Sequence, residues 1–300
     1  MSLLIGSLQL GFLYGIMALG IYITFRILNI PDLTTEGSFT LGLAVSGMMT
    51  ISGHPWLGIL MAALAGAAAG AVTGILQTKL GIHAVLAGIL TMSGLYTVNL
   101  MILGSRSNLS LIGSDTLFKQ IQDLFSVDKD AAYLIIAVLA AVVFAAGLIV
   151  LFRTHLGLCI RATGDNEDMV SASSIDVHAM KIIALAVSNA CVAVSGGLIA
   201  QYQGFADISS GTGMLVVGLA SVIIGEVFTG KRSLAVGLCS SVLGSIVYRF
   251  IIALAMKSPI FPAYALKLVS AVIVAAALAI PVIRYQYSMR KKKKEAGTHA

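Results

Sequence analysis

Residues 225–233, GEVFTGKRS, present the first spacing that could do chemistry. Gly225, Gly230 and Lys231 reproduce the G-x-x-x-x-G-K pattern of a phosphate-binding loop, in which backbone N–H groups cradle phosphates and the lysine neutralises them. The next position should carry a Ser or Thr for magnesium. Here it is Arg232, and Ser233 comes one residue late. A nucleotide loop also needs a strand before it and a helix after it. The preceding residues, LVVGLASVII, read instead as a membrane span. Lys231 and Arg232 are therefore read as basic anchors in a short turn, and no cofactor is expected in this chain.

The elements around that turn belong to the bilayer. Of 300 residues, 58% are hydrophobic and 11% charged, with a mean hydropathy of +0.97. Soluble domains carry about 25% charged residues. Apolar runs of roughly 20 residues, each able to cross about 30 Å of hydrocarbon, recur along the chain. The pattern predicts an all-α polytopic membrane protein with about nine transmembrane helices, near 4–25, 36–52, 57–78, 84–103, 131–152, 181–201, 213–229, 235–255 and 262–283. The segments 36–52 and 213–229 are short and contain glycine. For each, a spanning helix and a broken or re-entrant one both remain open.

Basic residues set the orientation. With the N-terminus outside, the inner side collects Arg26, Lys79, Arg153, Arg161, Lys181, Lys231, Arg232, Arg284, Arg290 and Lys291–Lys294. Arg106, Lys119, Lys129 and Lys257 fall outside, so the reading is N-out/C-in. The first span lacks a basic leader and reads as a retained helix. The basic tail at 290–300 has no interleaved aromatic residue, which argues for anionic lipid and against nucleic acid. Cys159, Cys191 and Cys239 have no metal or redox spacing, and no disulfide is expected.

Polar residues inside spans are the remaining chemical candidates. In NIPDLTTEGSFTLG (29–42), Asp32, Thr34, Thr35 and Glu36 crowd the start of the second span. They can cap its free N–H groups or line a pathway. Asn99 and Asn189 lie within spans, to cross-link helices or line the same path. Arg249 and Lys267 sit near outer ends, within reach of the interface by snorkelling, or else serve an outer mouth. Glu226 is expected to pair with Lys231. The glycine spacings Gly66–Gly70–Gly74 and Gly11–Gly15 favour close helix contacts within one subunit. Trp56, Tyr133, Tyr202 and Tyr264 mark the outer boundary, and Tyr285 and Tyr287 the inner one.

The long connection 153–181, RTHLGLCIRATGDNEDMVSASSIDVHAMK, stands apart from the other inner turns, which are short. Gly164 breaks the chain, Asp165 serves as N-cap, and Asn166–Ser174 make about two helical turns. Glu167 and Asp168 suit the positive end of that helix. Met169 and Ala172, with Val170, give it a small apolar face, which can lie on the membrane or fit a cytoplasmic partner.

PDLTTEGSFTLG, LAGILTMSGLYTVNLMILG (86–104) and RATGDNEDMVSASSIDV together resemble permease subunits of ABC transporters. The likeness is to the branched-chain amino-acid and ribose permease group, and within it to a branch whose binding proteins are linked to tryptophan or tyrosine. It departs at Ser174, where the wider group commonly has Gly. The resemblance implies a transmembrane permease domain over 1–289, with an external loop at 104–130 and a coupling loop at 153–181. It implies a non-catalytic importer subunit of the bacterial plasma (inner) membrane, paired with a second permease copy. Separate ATPase subunits would bind ATP and magnesium, and an extracytoplasmic binding protein would deliver the solute, an amino acid, with aromatic ones among the candidates. Gly164, Asp165, Asn166, Glu167, Asp168, Met169 and Ala172 then form the ATPase-coupling element. The alternative is a self-contained secondary transporter or channel with Glu36 or Glu226 as its ion or proton site.

Overall fold

The computed structural model describes residues 2–257 other than 126, 127, 231 and 232, together with 268, 271, 272, 274, 275 and 279. The expected ninth span, with Lys267 and Tyr264, falls almost wholly outside these residues. So do Lys231, Arg232, Tyr285, Tyr287 and the basic tail.

The described chain is helical apart from one pair of short strands. Helix α1 (Ser2–Tyr22) runs without a break into a π-helical turn, Ile23–Ile27. It is followed by α2 (Thr34–Ile51), α3 (Pro55–Thr78) and α4 (Ala84–Ile102). The external connection holds β1 (Asn108–Ser110) and α5 (Leu117–Phe125), and α6 (Lys129–Leu151) returns across the bundle. Two short helices, α7 (His155–Asp165) and α8 (Glu167–Ala172), precede the long α9 (Val177–Gln203). Then come β2 (Phe205–Asp207), α10 (Met214–Thr229) and α11 (Leu234–Lys257). Strands β1 and β2 pair antiparallel, Leu109 opposite Ala206.

Among the described residues, six helical segments are long and apolar enough to cross a membrane: Leu4–Ile27, Pro55–Thr78, Ala84–Ile102, Lys129–Leu151, Val177–Gln203 and Leu234–Lys257. The other two expected spans, α2 and α10, are shorter. Both begin inside the bundle. Asp32, just ahead of α2, bonds to Asn189, which lies 12 residues, or about 18 Å, along α9 from Val177. Residues 208–213 leave the β pair and fold back along α2, so that Gly211 packs against the Glu36 carbonyl and Thr40. Each of these two segments is one unbroken helix entered from an irregular stretch that packs on a neighbouring helix through a buried residue, Asp32 and Gly211 respectively.

Helix α9 is the axis of the fold. In its most apolar stretch 72% of residues are buried, against 22% for α4, which presents most of its surface outward. Small residues allow the close contacts. Gly66, Gly70 and Gly74 line one face of α3, and a side chain at any of them would strike α9 at Asn189, Leu185 or Ile182. Gly11 and Gly15 meet α11 at Ile246 and Val242 in the same way. Ser245 Oγ then donates to the Gly11 carbonyl at 2.9 Å. These glycine contacts join helices of one chain, as their spacing predicts. In lipid, where apolar burial drives little helix association, such packing and interhelical hydrogen bonds hold a bundle together.

At the β-pair end, Phe118, Tyr133 and Tyr202 form an aromatic cluster with ring centroids 4.9–5.8 Å apart. Gln201 ties the same end together: its amide donates to Ser46 and the Pro55 carbonyl and accepts from the Leu117 N–H. Trp56 is exposed and donates to Gln120 at 3.1 Å. Cys159, Cys191 and Cys239 are all free.

Candidate functional site

The seven polar residues singled out for a pathway separate into three places. Asp32, Thr34, Thr35 and Asn189 form a buried knot. Asp32 Oδ1 accepts from the Thr34 N–H at 2.9 Å, and Oδ2 accepts from Asn189 Nδ2 at 2.7 Å. Thr35 donates back to the Asp32 carbonyl. The Thr34 hydroxyl meets Thr73 at 2.7 Å, and Thr73 donates to Thr91 at 2.9 Å. Asp32 is 1% exposed and Thr34, Thr73 and Asn189 are 0% exposed. This network stitches α2, α3, α4 and α9 together, and it also caps α2, whose own N-cap residue Leu33 supplies no side-chain bond.

Glu36 and Asn99 come together elsewhere, on a cavity of about 410 Å³ bounded by α2, α4 and residues 208–212. Glu36 Oε1 accepts from the Gly213 N–H at 3.0 Å, at the start of α10. The carboxylate thus sits at the positive end of that helix, which favours negative charge. Asn99 Nδ2 donates to the Gly37 carbonyl at 3.2 Å, which fixes the amide. Its Oδ1 is buried and has no donor among the described residues. Thr40, Met92, Ser93 and Tyr96 complete the walls. None of these four was singled out in the sequence. The one local signal was G-T-G at 211–213, a turn signature that brings the chain back against α2.

Arg249 lies apart from both. Its guanidinium covers the Tyr14 ring at 3.5 Å, a cation–π contact, and Tyr14 stacks on Phe39. Its Nε is buried without an acceptor among the described residues. Glu226 is gripped at both carboxylate oxygens by Arg26 on the π-helical turn; its expected partner, Lys231, lies outside the described residues. A two-pronged match of that kind is what the planar guanidinium favours over a lysine.

The turn carrying Arg26 is joined to the 153–181 segment. Gly164 packs directly on the Ile27 carbonyl and Leu28 backbone, leaving no room for a side chain, and Asn29 Nδ2 donates to the Gly164 carbonyl at 3.2 Å. Gly164 therefore does not break the chain. It lies within α7, a helix capped by Thr154 through the Gly157 N–H that the sequence reading missed. The N-cap of α8 is Asn166, one residue beyond the expected Asp165, and accepts from the Met169 N–H at 3.0 Å. Helix α8 is six residues long, shorter than expected, with Glu167 paired to Lys181 at 2.6 Å. Its expected apolar face divides: Val170 is buried, while Met169 is 60% exposed and Ala172, with Asp165 and Asp168, also faces outward.

After α8, Ser174 takes a left-handed conformation, φ +60°. That backbone suits Gly at a helix C-terminus, which is the residue whose absence marked the departure at this position. Asp176 then caps α9 through the Ala179 N–H at 3.1 Å. That bond holds its exposed carboxyl below the ordinary carboxylate range.

The nucleotide-loop spacing has no matching geometry. Residues 214–229 are one helix, and Gly225 lies within it, packed against the Ser240 carbonyl of α11.

Comparison with known proteins agrees with this architecture. Residues 3–278 match the family described as branched-chain amino acid transport system / permease component. The chain is 37% identical over 281 residues to the tyrosine transport system permease protein of Clostridioides difficile, covering 93% of this chain and 91% of that one. It is 26% identical over 239 residues to the ribose import permease protein RbsC of Escherichia coli K12, covering 79% and 72%. No solved structure matches. A bundle of apolar helices joined by small-residue contacts, matched along nearly its whole length, places the chain in the branched-chain amino acid transport system permease family, as a multi-pass protein of the bacterial inner membrane.

Proposed function

We propose that the chain is the membrane-spanning subunit of an ABC importer for an amino acid, with ATP hydrolysed by separate subunits and the solute delivered by an extracytoplasmic binding protein. The amino-acid substrate rests on the 37% identity to a tyrosine permease, and a second copy of the chain completes the pore. The observation that carries the reading is one line of contacts. Exposed Met169 on α8 continues into α7, α7 sits on the π-helical turn through Gly164, and Arg26 on that turn grips Glu226 of α10. The far end of α10 touches Glu36 at the cavity. A push on α8 thus has a continuous solid route to the cavity wall.

The secondary-transporter alternative loses support here. The family is one of transport-system permeases, and Glu226, one of the two candidate ion sites, is committed to Arg26. In this reading the N-terminus is outside, so α7 and α8 face the cytoplasm. Cysteines placed at Ser114 and Ser171 in a cysteine-free chain then label from opposite faces of the membrane; labelling of both from one face contradicts the orientation.

The test of function is reconstitution. The permease is co-expressed and purified with a candidate ATPase from the same genome and assayed with a candidate binding protein in proteoliposomes. ATP-dependent uptake of a labelled amino acid is expected. Uptake that needs no ATPase, and follows an imposed ion gradient instead, would overturn the proposal.

A further inference from the structure

The cavity between α2, α4 and residues 208–212 carries a carboxylate and a buried amide oxygen beside the hydroxyls of Ser93, Tyr96 and Thr212. Glu36 brings a carboxylate already oriented by the Gly213 N–H. Asn99 brings Oδ1, buried and without a donor among the described residues, with the other half of its amide held by the Gly37 carbonyl. A buried acceptor left unpaired is costly, and Asn99 Oδ1 differs from the equally unpaired Asn189 Oδ1 in belonging to a residue that lines a cavity, where a ligand's donor can enter. The Thr40 hydroxyl does not fill the need, because it donates to the Glu36 carbonyl.

The size and walls narrow the ligand. About 410 Å³ is within the range of small-molecule sites and far larger than a bare ion needs. Tyr96 and Met92 give the opening an aromatic and a thioether surface. A carboxylate or phosphate entering there would meet Glu36 as a like charge. A neutral hydroxyl could satisfy Asn99 but would leave the Glu36 charge unanswered. A primary ammonium supplies three donors and the opposite charge.

We propose that this cavity is a way-station for the ammonium group of the transported solute, with Glu36 as its counter-charge, Asn99 Oδ1 as a second acceptor, and Tyr96 beside the solute's side chain. The assignment rests on the amino-acid reading above and sharpens it: the permease itself, and not only a binding protein, distinguishes an amine from a sugar or an acid.

The test uses the permease–ATPase complex in nanodiscs, without binding protein or nucleotide. Labelled tyramine is followed by equilibrium dialysis, with unlabelled tyrosine, 3-(4-hydroxyphenyl)propionate and D-ribose as competitors. Tyramine binding displaced by tyrosine, but not by the propionate or by ribose, is expected. Glu36→Gln keeps an oxygen to accept from Gly213 and removes only the charge, so the fold is preserved; it should weaken tyramine binding at least about tenfold. Asn99→Ala should weaken it less, and Glu36→Asp should restore part of the loss.

No tyramine binding to the wild-type complex overturns the assignment. So does equal competition by the propionate or ribose, or wild-type affinity in Glu36→Gln. Failure of the importer reading shows separately in the same preparation, as a permease that does not retain its ATPase.

Discussion

Asp32 and Glu36 are acids four residues apart at one end of one helix, yet they do opposite things. Both oxygens of Asp32 have partners within the chain, and the residue is sealed. Glu36 is held only by backbone N–H groups at the start of α10, those of Gly213 and Leu215, and has a cavity beside it. Position along the helix explains the split. Asp32 precedes the first turn and points into the α3–α9 contact, where glycines on α3 bring the backbones close. Glu36 is one turn on and faces the gap where residues 208–213 fold back. Intramembrane acids are therefore not one class. A fully satisfied one builds the bundle, and one with unspent capacity marks where something else binds.

Substitutions can break that contrast. The largest effect on stability is expected from Asp32→Ala, which strands the Thr34 N–H and one of the two Asn189 amide N–H groups in a sealed site. A loss of about 2 kcal/mol is expected, read as a shifted unfolding midpoint in a denaturant titration in mixed micelles. Thr73→Val keeps the shape but removes the central hydroxyl of the chain running to Thr34 and Thr91, and should cost about 1 kcal/mol by the same titration. Glu36→Ala loses a helix cap only, about 1 kcal/mol or less. Glu36→Gln should unfold within about 0.5 kcal/mol of wild type, because the amide oxygen still accepts from Gly213. If Glu36→Gln destabilises as much as Asp32→Ala, the two acids belong to one structural network and the contrast fails.

The sequence made much of the architecture legible, and for physical reasons. Apolar runs and their lengths located the eight described helices α1–α4, α6 and α9–α11, because the bilayer permits few alternatives. The G-x-x-x-G spacings marked the faces that meet, since only small residues allow such approach. What stayed hidden depended on partners distant in the chain. Capping sufficed to explain Asp32, but its bond to Asn189, 157 residues away, is set by tertiary packing. Arg26 lay unremarked in a list of anchors, because nothing local tells that Glu226, 200 residues on, faces it.

The β pair and α7 were missed because their signals are short. A three-residue strand carries almost no periodicity, and α7 hides its buried side behind Gly157 and Gly164, residues that ordinarily argue against helix. Among the pathway candidates, Glu36 and Asn99 share a cavity, and the other five do not line it.

The central claim is that this pore receives its energy from outside, through α8. Met169 is exposed on a short helix beyond every long span. Met169→Asp adds a charge that a docked interface must desolvate without a partner. That costs several kcal/mol, enough to weaken an association by orders of magnitude. The bundle itself should be untouched. The decisive measurement is affinity copurification of the ATPase with wild-type and Met169→Asp permease, with ATP-driven uptake assayed on the same preparations. The account predicts a normally inserted Met169→Asp permease that has lost both its ATPase and its transport. A variant that retains the ATPase and transports at the wild-type rate would contradict it.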